Sequence, residues 1–405
     1  MHASHPTLAR RHVLLGSVGA LASVGLGTWT SAAQAQTAVA AVSKPLPAYV
    51  GWKVAPDMIM HSSNTLETRR AAFRSGVVTP SNQLFVRNNL PPPDAAIVSD
   101  RDAWKVSVEG VKSPRSLSVG ELKTMGLETT AMVLQCSGNG RAFFKHKASG
   151  TQWGVGAAGC VIWTGVPVRQ LVEALGGVSA DAVFMTGTGG EVLPAGIDPK
   201  TIVVERSVPL AAMADALLAW EMNGEDLPLA HGGPLRLIVP GFTGVNNIKY
   251  IKRLAFTATE SDAAIMAHGY RIRPIGEKGL PGQPSAQAME VKSWINSPLP
   301  EDGELKAGRF LVEGVAFGGV NAVKAVEVSA DGGKTWVPAK FIGPDLGRYA
   351  WRQFVVSLPL AAGKHTLASR ATDDKGQTQP EHRLENERGY NNNSWLDHAV
   401  VVTVA

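Results

Sequence analysis

The chain has 405 residues, 44% hydrophobic and 18% charged, with 43 glycines, 25 prolines, 10 tryptophans and 2 cysteines. An ordinary apolar fraction excludes wholesale disorder, collagen and coiled coil, and so few cysteines exclude a disulfide framework, a four-thiolate zinc site and a four-cysteine iron–sulfur cluster. The net charge of +5 comes from scattered Lys and Arg rather than a run, so no nucleic-acid partner is expected. After the N-terminus no stretch reaches the ~20 apolar residues of a membrane span.

Residues 1–35 contain no Asp or Glu, carry Arg10-Arg11, run into a weakly apolar stretch from Val13 and end Ala33-Gln34-Ala35. A basic start, an apolar middle and a small-x-small end make a secretory leader. The paired arginines point to twin-arginine export and a bacterial periplasmic protein. That route carries folded cargo, which implies a cofactor inserted beforehand. Without the leader the chain keeps 37 basic against 34 acidic residues, a net +3.

Residues 36–80 read as a polar, Pro-punctuated extension with one helical pattern over 65–73. Over 81–285, strands are expected at 104–108, 129–134, 182–185, 201–204, 235–239 and 248–256. Helices are expected at 118–125, 167–175, where a proline opens the first turn, and 210–218. Irregular interleaving without repeated βαβ spacing predicts an α+β domain with a mixed sheet. From 286 to 405 strands dominate, at 309–315, 325–329, 336–341, 351–355, 363–372 and 399–404. Asp331-Gly332-Gly333 supplies a hairpin turn, and the spacing predicts an immunoglobulin-like sandwich. The boundary falls in the Gly/Pro/Gln-rich stretch 276–288.

Three constellations bear on chemistry. In Val133-Leu134-Gln135-Cys136-Ser137-Gly138-Asn139-Gly140-Arg141 an apolar strand ends at a cysteine, followed by a Gly/Asn loop and an arginine. A nearby arginine favours the thiolate, which is both a nucleophile and a soft metal ligand; a buried, inert thiol is the alternative. Cys160, inside an apolar run, reads as a core residue. In Phe85-Val86-Arg87-Asn88-Asn89-Leu90-Pro91 an arginine follows a short strand and suits a planar oxyanion. The third, spread over Ala219–Gly224, His231–Arg236 and Asn246–Tyr250, places His, Arg, Asn and Lys beside buried strands, residue types that hold a phosphate or an amide-rich heterocycle.

Together, Phe85-Val86-Arg87-Asn88, Cys136-Ser137-Gly138-Asn139-Gly140-Arg141, Ala219-Trp220-Glu221-Met222-Asn223-Gly224 and His231-Gly232-x-Pro234-x-Arg236 resemble the sulfite oxidase family of molybdenum enzymes, as do Tyr349-Ala350-Trp351-Arg352 and Asn393-Ser394-Trp395 in the last domain. The resemblance implies that Cys136 ligates molybdenum beside a molybdopterin. It implies that Arg87, Arg141 and Arg352 hold the sulfite dianion with Trp153 and Tyr270, and that Asn88, Asn89, His231, Arg236, Asn247 and Lys249 serve the cofactor. The family often has His where this chain has Asn89, and Arg-His where it has Asn246-Asn247. The implied activity is oxygen-atom transfer from water to sulfite, with electrons leaving one at a time. No Cys-x-x-Cys-His motif is present for a c-type haem, and no room is expected for an attached cytochrome b5. The acceptor is therefore expected to be a periplasmic c-type cytochrome or haem subunit, and the assembly a homodimer or heterodimer through the last domain. The runner-up is a sulfane-sulfur dehydrogenase with the same cofactor.

Overall fold

The computed structural model describes residues 45–405; the leader expected over 1–35 lies outside them. Two sheets carry the first body. In one, Glu128–Gln135, Ala158–Pro167 and Leu217–Met222 run antiparallel, with Glu225–Asp226 and Arg236–Ile238 both paired to Leu217–Met222. In the other, Arg115–Ser118, Lys105–Glu109, Ile251–Thr257, Phe184–Gly189 and Glu205–Pro209 lie side by side, with one parallel pair between Lys105–Glu109 and Ile251–Thr257. The mixed sheet is as expected. Lys105–Glu109 alternates buried and solvated positions, as a half-covered strand must. Val119–Leu122 is held by a Ser118/Glu121 capping box, and Val168–Ala174 buries Val168, Leu171 and Val172 in the core between the elements.

The exceptions have a common cause. Ala158–Pro167 is buried at nearly every position and was not anticipated, because a strand covered on both faces shows no alternation. The helix expected over 210–218 is instead a 3-10 turn, Leu210–Ala214, and a strand, Leu217–Met222. A short apolar run reads the same in either state until its neighbours are known. Residues 65–73 likewise form a buried strand, Thr65–Thr68, and a 3-10 turn, Arg70–Ser75. Thr65–Thr68 pairs on both sides, with Met58–Ser62 and Val86–Arg87. Residues 45–80 are thus not an appendage but part of the first body. The strand expected over 201–204 begins at Glu205.

The C-terminal region is a sandwich of two four-stranded sheets around one apolar core. Its first strand, Lys292–Ser297, was not foreseen, and the segment 336–341 splits into Val337–Pro338 and Lys340–Ile342, which join opposite sheets. The sandwich meets the first body through Phe73, Trp294 and Trp351, whose rings pack edge to face at 5.5–5.9 Å. Cys160 lies in this shared core. Burial pushes its thiol up to about 12, so it stays protonated and inert.

Candidate active site

Cys136 follows directly on the strand Glu128–Gln135, where the ladder ends and a tight loop begins. Its backbone N–H donates to the Ala157 carbonyl at 2.9 Å, and its own carbonyl accepts from Asn139 at 2.9 Å. Asn139 clamps the loop: its Nδ2 donates to Gln135 Oε1 and its Oδ1 accepts from the Ala157 N–H. The thiol, half-buried, is therefore carried on a rigid turn. Gly138 packs against the Arg141 guanidinium, which a Cβ there, 2.3 Å from Nη2, would displace.

Cys136 opens into a chamber of about 520 Å³ lined by Arg87, Asn89, Arg141, Tyr270, Arg388 and Tyr390, among others. Three arginines line it and no Asp or Glu does. Arg87 is aimed by hydrogen bonds to the Asn88 carbonyl and to Asn89 Oδ1. Arg141 donates from Nε to the Arg388 carbonyl at 2.8 Å and from Nη1 to the Thr151 carbonyl at 2.9 Å, which leaves Nη2 free. Arg388 Nε is buried without a partner. Such donors, withdrawn from water and unpaired, are complementary to a small oxyanion.

Two expectations about this chamber need correction. Arg352 is not in it: the side chain pairs with Asp345 at 2.7 Å and packs over Phe341, in a hollow lined by Val323, Arg348 and Ala350. Arg388 takes the place assigned to it. It arrives from the C-terminal region on a loop fastened to the cysteine turn, where the Asn391 N–H donates to Ser137 O and Asn392 Nδ2 donates to Gly140 O. Trp153 does not line the chamber; it lies fully buried behind Phe85, with Nε1 unpartnered.

Beside the chamber, and sharing Arg87, Asn89, Cys136 and Tyr270 with it, lies a second cavity lined by the third constellation. His231, Arg236, Asn247, Lys249 and Asn88 line it, and so does Glu191, which the motifs did not reveal. Lys249 Nζ donates to Asn88 Oδ1 and Ala230 O, both at 2.6 Å, and keeps a third hydrogen. Arg236 donates to the carbonyls of Asn247 and His231. Lys53, from the supposed extension, donates to Ser81 O, Leu84 O and His231 Nε2. Burial holds Lys249 and Lys53 well below the ordinary lysine range and lowers Arg236 to about 9. His231 is held neutral by burial and by the adjacent Lys53, so its Nε2 accepts. Asn246 and Asn247 spend their side chains on the protein itself: both Nδ2 groups donate to Thr243 O, Asn246 Oδ1 accepts from Arg206, and Asn247 Oδ1 accepts from the Val239 N–H.

Residues 93–265 match the oxidoreductase molybdopterin binding domain and residues 283–404 the Mo-co oxidoreductase dimerisation domain. Mitochondrial sulfite oxidase of Mus musculus is 30% identical over 382 residues, covering 86% of this chain and 67% of that protein. The Homo sapiens enzyme is 32% identical over 351 residues, covering 81% and 62%. The chain belongs to the sulfite oxidase family of molybdenum enzymes. A nitrate reductase of Hordeum vulgare is also similar, 31% identical over 358 residues, covering 79% of this chain and 39% of that protein. Among solved structures, the sulfane dehydrogenase SoxCD from Paracoccus pantotrophus shares the fold, with a TM-score of 0.70 at 24% identity over 86% of this chain and 88% of that one. This chain spans about 62% of the human enzyme's length.

The residues present fit the family's cofactor. Among the described residues no group of three or more His, Cys, Asp or Glu could hold a metal ion unaided. Cys136 would add one soft ligand to a metal carried by the family's molybdopterin. The cavity buries more cationic than anionic groups, with donors left over, and a phosphate ester would restore the solvation that Lys249 and Arg236 have lost. Glu191 is the lone carboxyl; burial raises it from 4.5 to about 7, and one oxygen has no partner. A raised acid binds its proton more tightly when folded, so its contribution is favourable at low pH and is lost as pH climbs from about 4.5 to 7. Melting the cofactor-free protein should therefore show Glu191→Gln more stable than wild type at pH 8 and indistinguishable at pH 4.5. Equal melting temperatures at pH 8 would show that the carboxylate is not desolvated.

Proposed function

We propose that the chain oxidises sulfite to sulfate at a molybdenum–molybdopterin centre and passes the electrons to an external c-type cytochrome in the periplasm. The observation that carries this is the chamber beside Cys136, with Arg87, Arg141 and Arg388 around it and no acid in its lining. Sulfite and sulfate are small, compact oxyanions, and guanidiniums stay charged across the working pH range. Charge-assisted hydrogen bonds in a partly desolvated site favour such an anion over neutral competitors. Arg141 Nη2 and the Arg388 guanidinium bind the oxygens, while the hydrogen bonds to Asn88 and Asn89 orient Arg87. Tyr270 closes the side shared with the second cavity. There Lys249, Arg236 and His231 would hold the pterin phosphate, and Cys136 the metal. When bound, the cofactor supplies two-electron oxygen-atom-transfer chemistry. The dimerisation-type sandwich would pair the chain with a second copy or with a haem subunit.

One observation favours a second reading, oxidation of sulfane sulfur carried on a larger molecule. The chamber opens through Asn89, Ile265, Gly269 and Arg388 into a broad cleft that extends to Thr201, Arg273 and Lys278, more surface than sulfite alone needs. Supplying sulfite and carrier-bound sulfane sulfur as alternative donors, with oxidised cytochrome c as acceptor, separates the two. Sulfite-dependent reduction at much the higher kcat/KM supports the proposal; turnover of the carrier-bound donor alone replaces it.

A further inference from the structure

Neither the sequence motifs nor the reaction above assigns a part to Tyr390, yet the arginine side of the chamber is assembled against it. The ring, 2% exposed, lies nearly parallel to that of Tyr270, with centroids 5.1 Å apart and planes at 11°. The Arg141 guanidinium carbon sits 5.3 Å from the Tyr390 centroid. The phenol donates to the carbonyl of Gly269, the residue before Tyr270, at a long 3.3 Å. The backbone is fixed as well: the Tyr390 N–H donates to Asn386 Oδ1 at 2.9 Å, and Asn386 Nδ2 donates to the Tyr390 carbonyl at 3.0 Å. Gly389 adopts φ +60°, and a Cβ there would fall 2.9 Å from Arg141 Cγ, so the loop comes in against the arginine's stem while the next residue's ring supports its head.

We propose that Tyr390 is a positioning residue that sets oxyanion affinity, its ring supporting the Arg141 guanidinium and Tyr270 so that both face the chamber. This rests on the oxyanion reading of that chamber. Arg141 has Nε and Nη1 anchored to carbonyls, but both hydrogen bonds lie in the guanidinium plane and leave its faces unsupported. The aromatic face supplies the remaining restraint electrostatically, because the negative quadrupole of the ring attracts the cation. An aliphatic side chain of similar bulk would fill the space and supply none of that attraction. The hydroxyl is secondary, since its bond to Gly269 is long.

The test uses the holoenzyme with two readouts, steady-state sulfite oxidation and calorimetric binding of inorganic sulfate. Tyr390→Leu is expected to raise both the sulfite KM and the sulfate Kd by ~tenfold, with kcat changing by no more than about threefold. Tyr390→Phe should rescue most of the lost affinity, and Tyr390→Met, an unbranched filler, should behave as Leu does and stands in for it if Leu does not fold. In an Arg141→Lys background, Tyr390→Leu should add less than about twofold, because the two substitutions remove one shared interaction. Unchanged sulfate affinity in the Leu or Met variant, or a full additional tenfold in the Arg141→Lys background, overturns the proposal. A wild-type holoenzyme that does not oxidise sulfite but shows the same Tyr390 dependence of sulfate binding refutes the proposed reaction and leaves this role standing.

Discussion

Cys136→Ser is expected to bring sulfite oxidation to background while the fold persists. With Cys136 in its proposed role as metal ligand, the loss should exceed the ~10²–10³-fold typical of removing a single transition-state hydrogen-bond donor. A serine hydroxyl is a harder and far less acidic ligand than a thiol, and no second thiol can replace it. Cys160 is fully buried in the core shared with the sandwich, with its pKa pushed up to about 12. The loop itself should survive, since it is held by backbone bonds at Ala157 and Asn139 and by the Asn139 side chain, none of which involve the sulfur. On the proposed pterin-holding role of Lys249, Arg236 and His231, turnover and bound pterin should therefore separate, the pterin being retained and the rate lost. Near-wild-type turnover in the serine variant would remove Cys136 from the metal.

The second large effect distinguishes two arginines of the C-terminal region. Arg388→Gln should raise the sulfite KM by roughly thirtyfold, the equivalent of about 2 kcal/mol for a charged hydrogen bond lost from a buried site. Arg352→Gln should leave KM within about twofold, because its partner is Asp345 and it reaches neither the chamber nor Cys136. Steady-state kinetics on both variants decides the assignment. A large KM effect at Arg352 with none at Arg388 would mean that the loop 386–392 does not deliver its arginine to the anion.

That contrast shows which parts of the site are legible in sequence. Cys136, Arg141 and Arg87 lie within a few residues of strand ends, and the glycines and prolines that shape their turns are adjacent, so each short motif contains both the functional group and the reason for its conformation. Arg388 has no such local frame. It becomes a site residue only because Asn391 and Asn392 fasten its loop to Ser137 and Gly140, about 250 residues earlier in the chain. Lys53 is hidden for the same reason, as its Nζ meets His231 across 178 residues of sequence. Glu191 sits among exposed loop residues, and only the fold turns its carboxyl inward. The fold class was readable because half-covered strands such as Lys105–Glu109 alternate. Ala158–Pro167 and Leu217–Met222, apolar on both faces, carry no period with which to separate strand from helix.

The central claim is that sulfite is oxidised at a molybdenum centre held by this chain. Its most direct test is molybdenum quantification and sulfite-dependent cytochrome c reduction on one and the same preparation. Close to one molybdenum per chain is expected, with a rate proportional to molybdenum content across preparations. A protein that carries no molybdenum, or that is fully loaded yet inert toward sulfite, would contradict it.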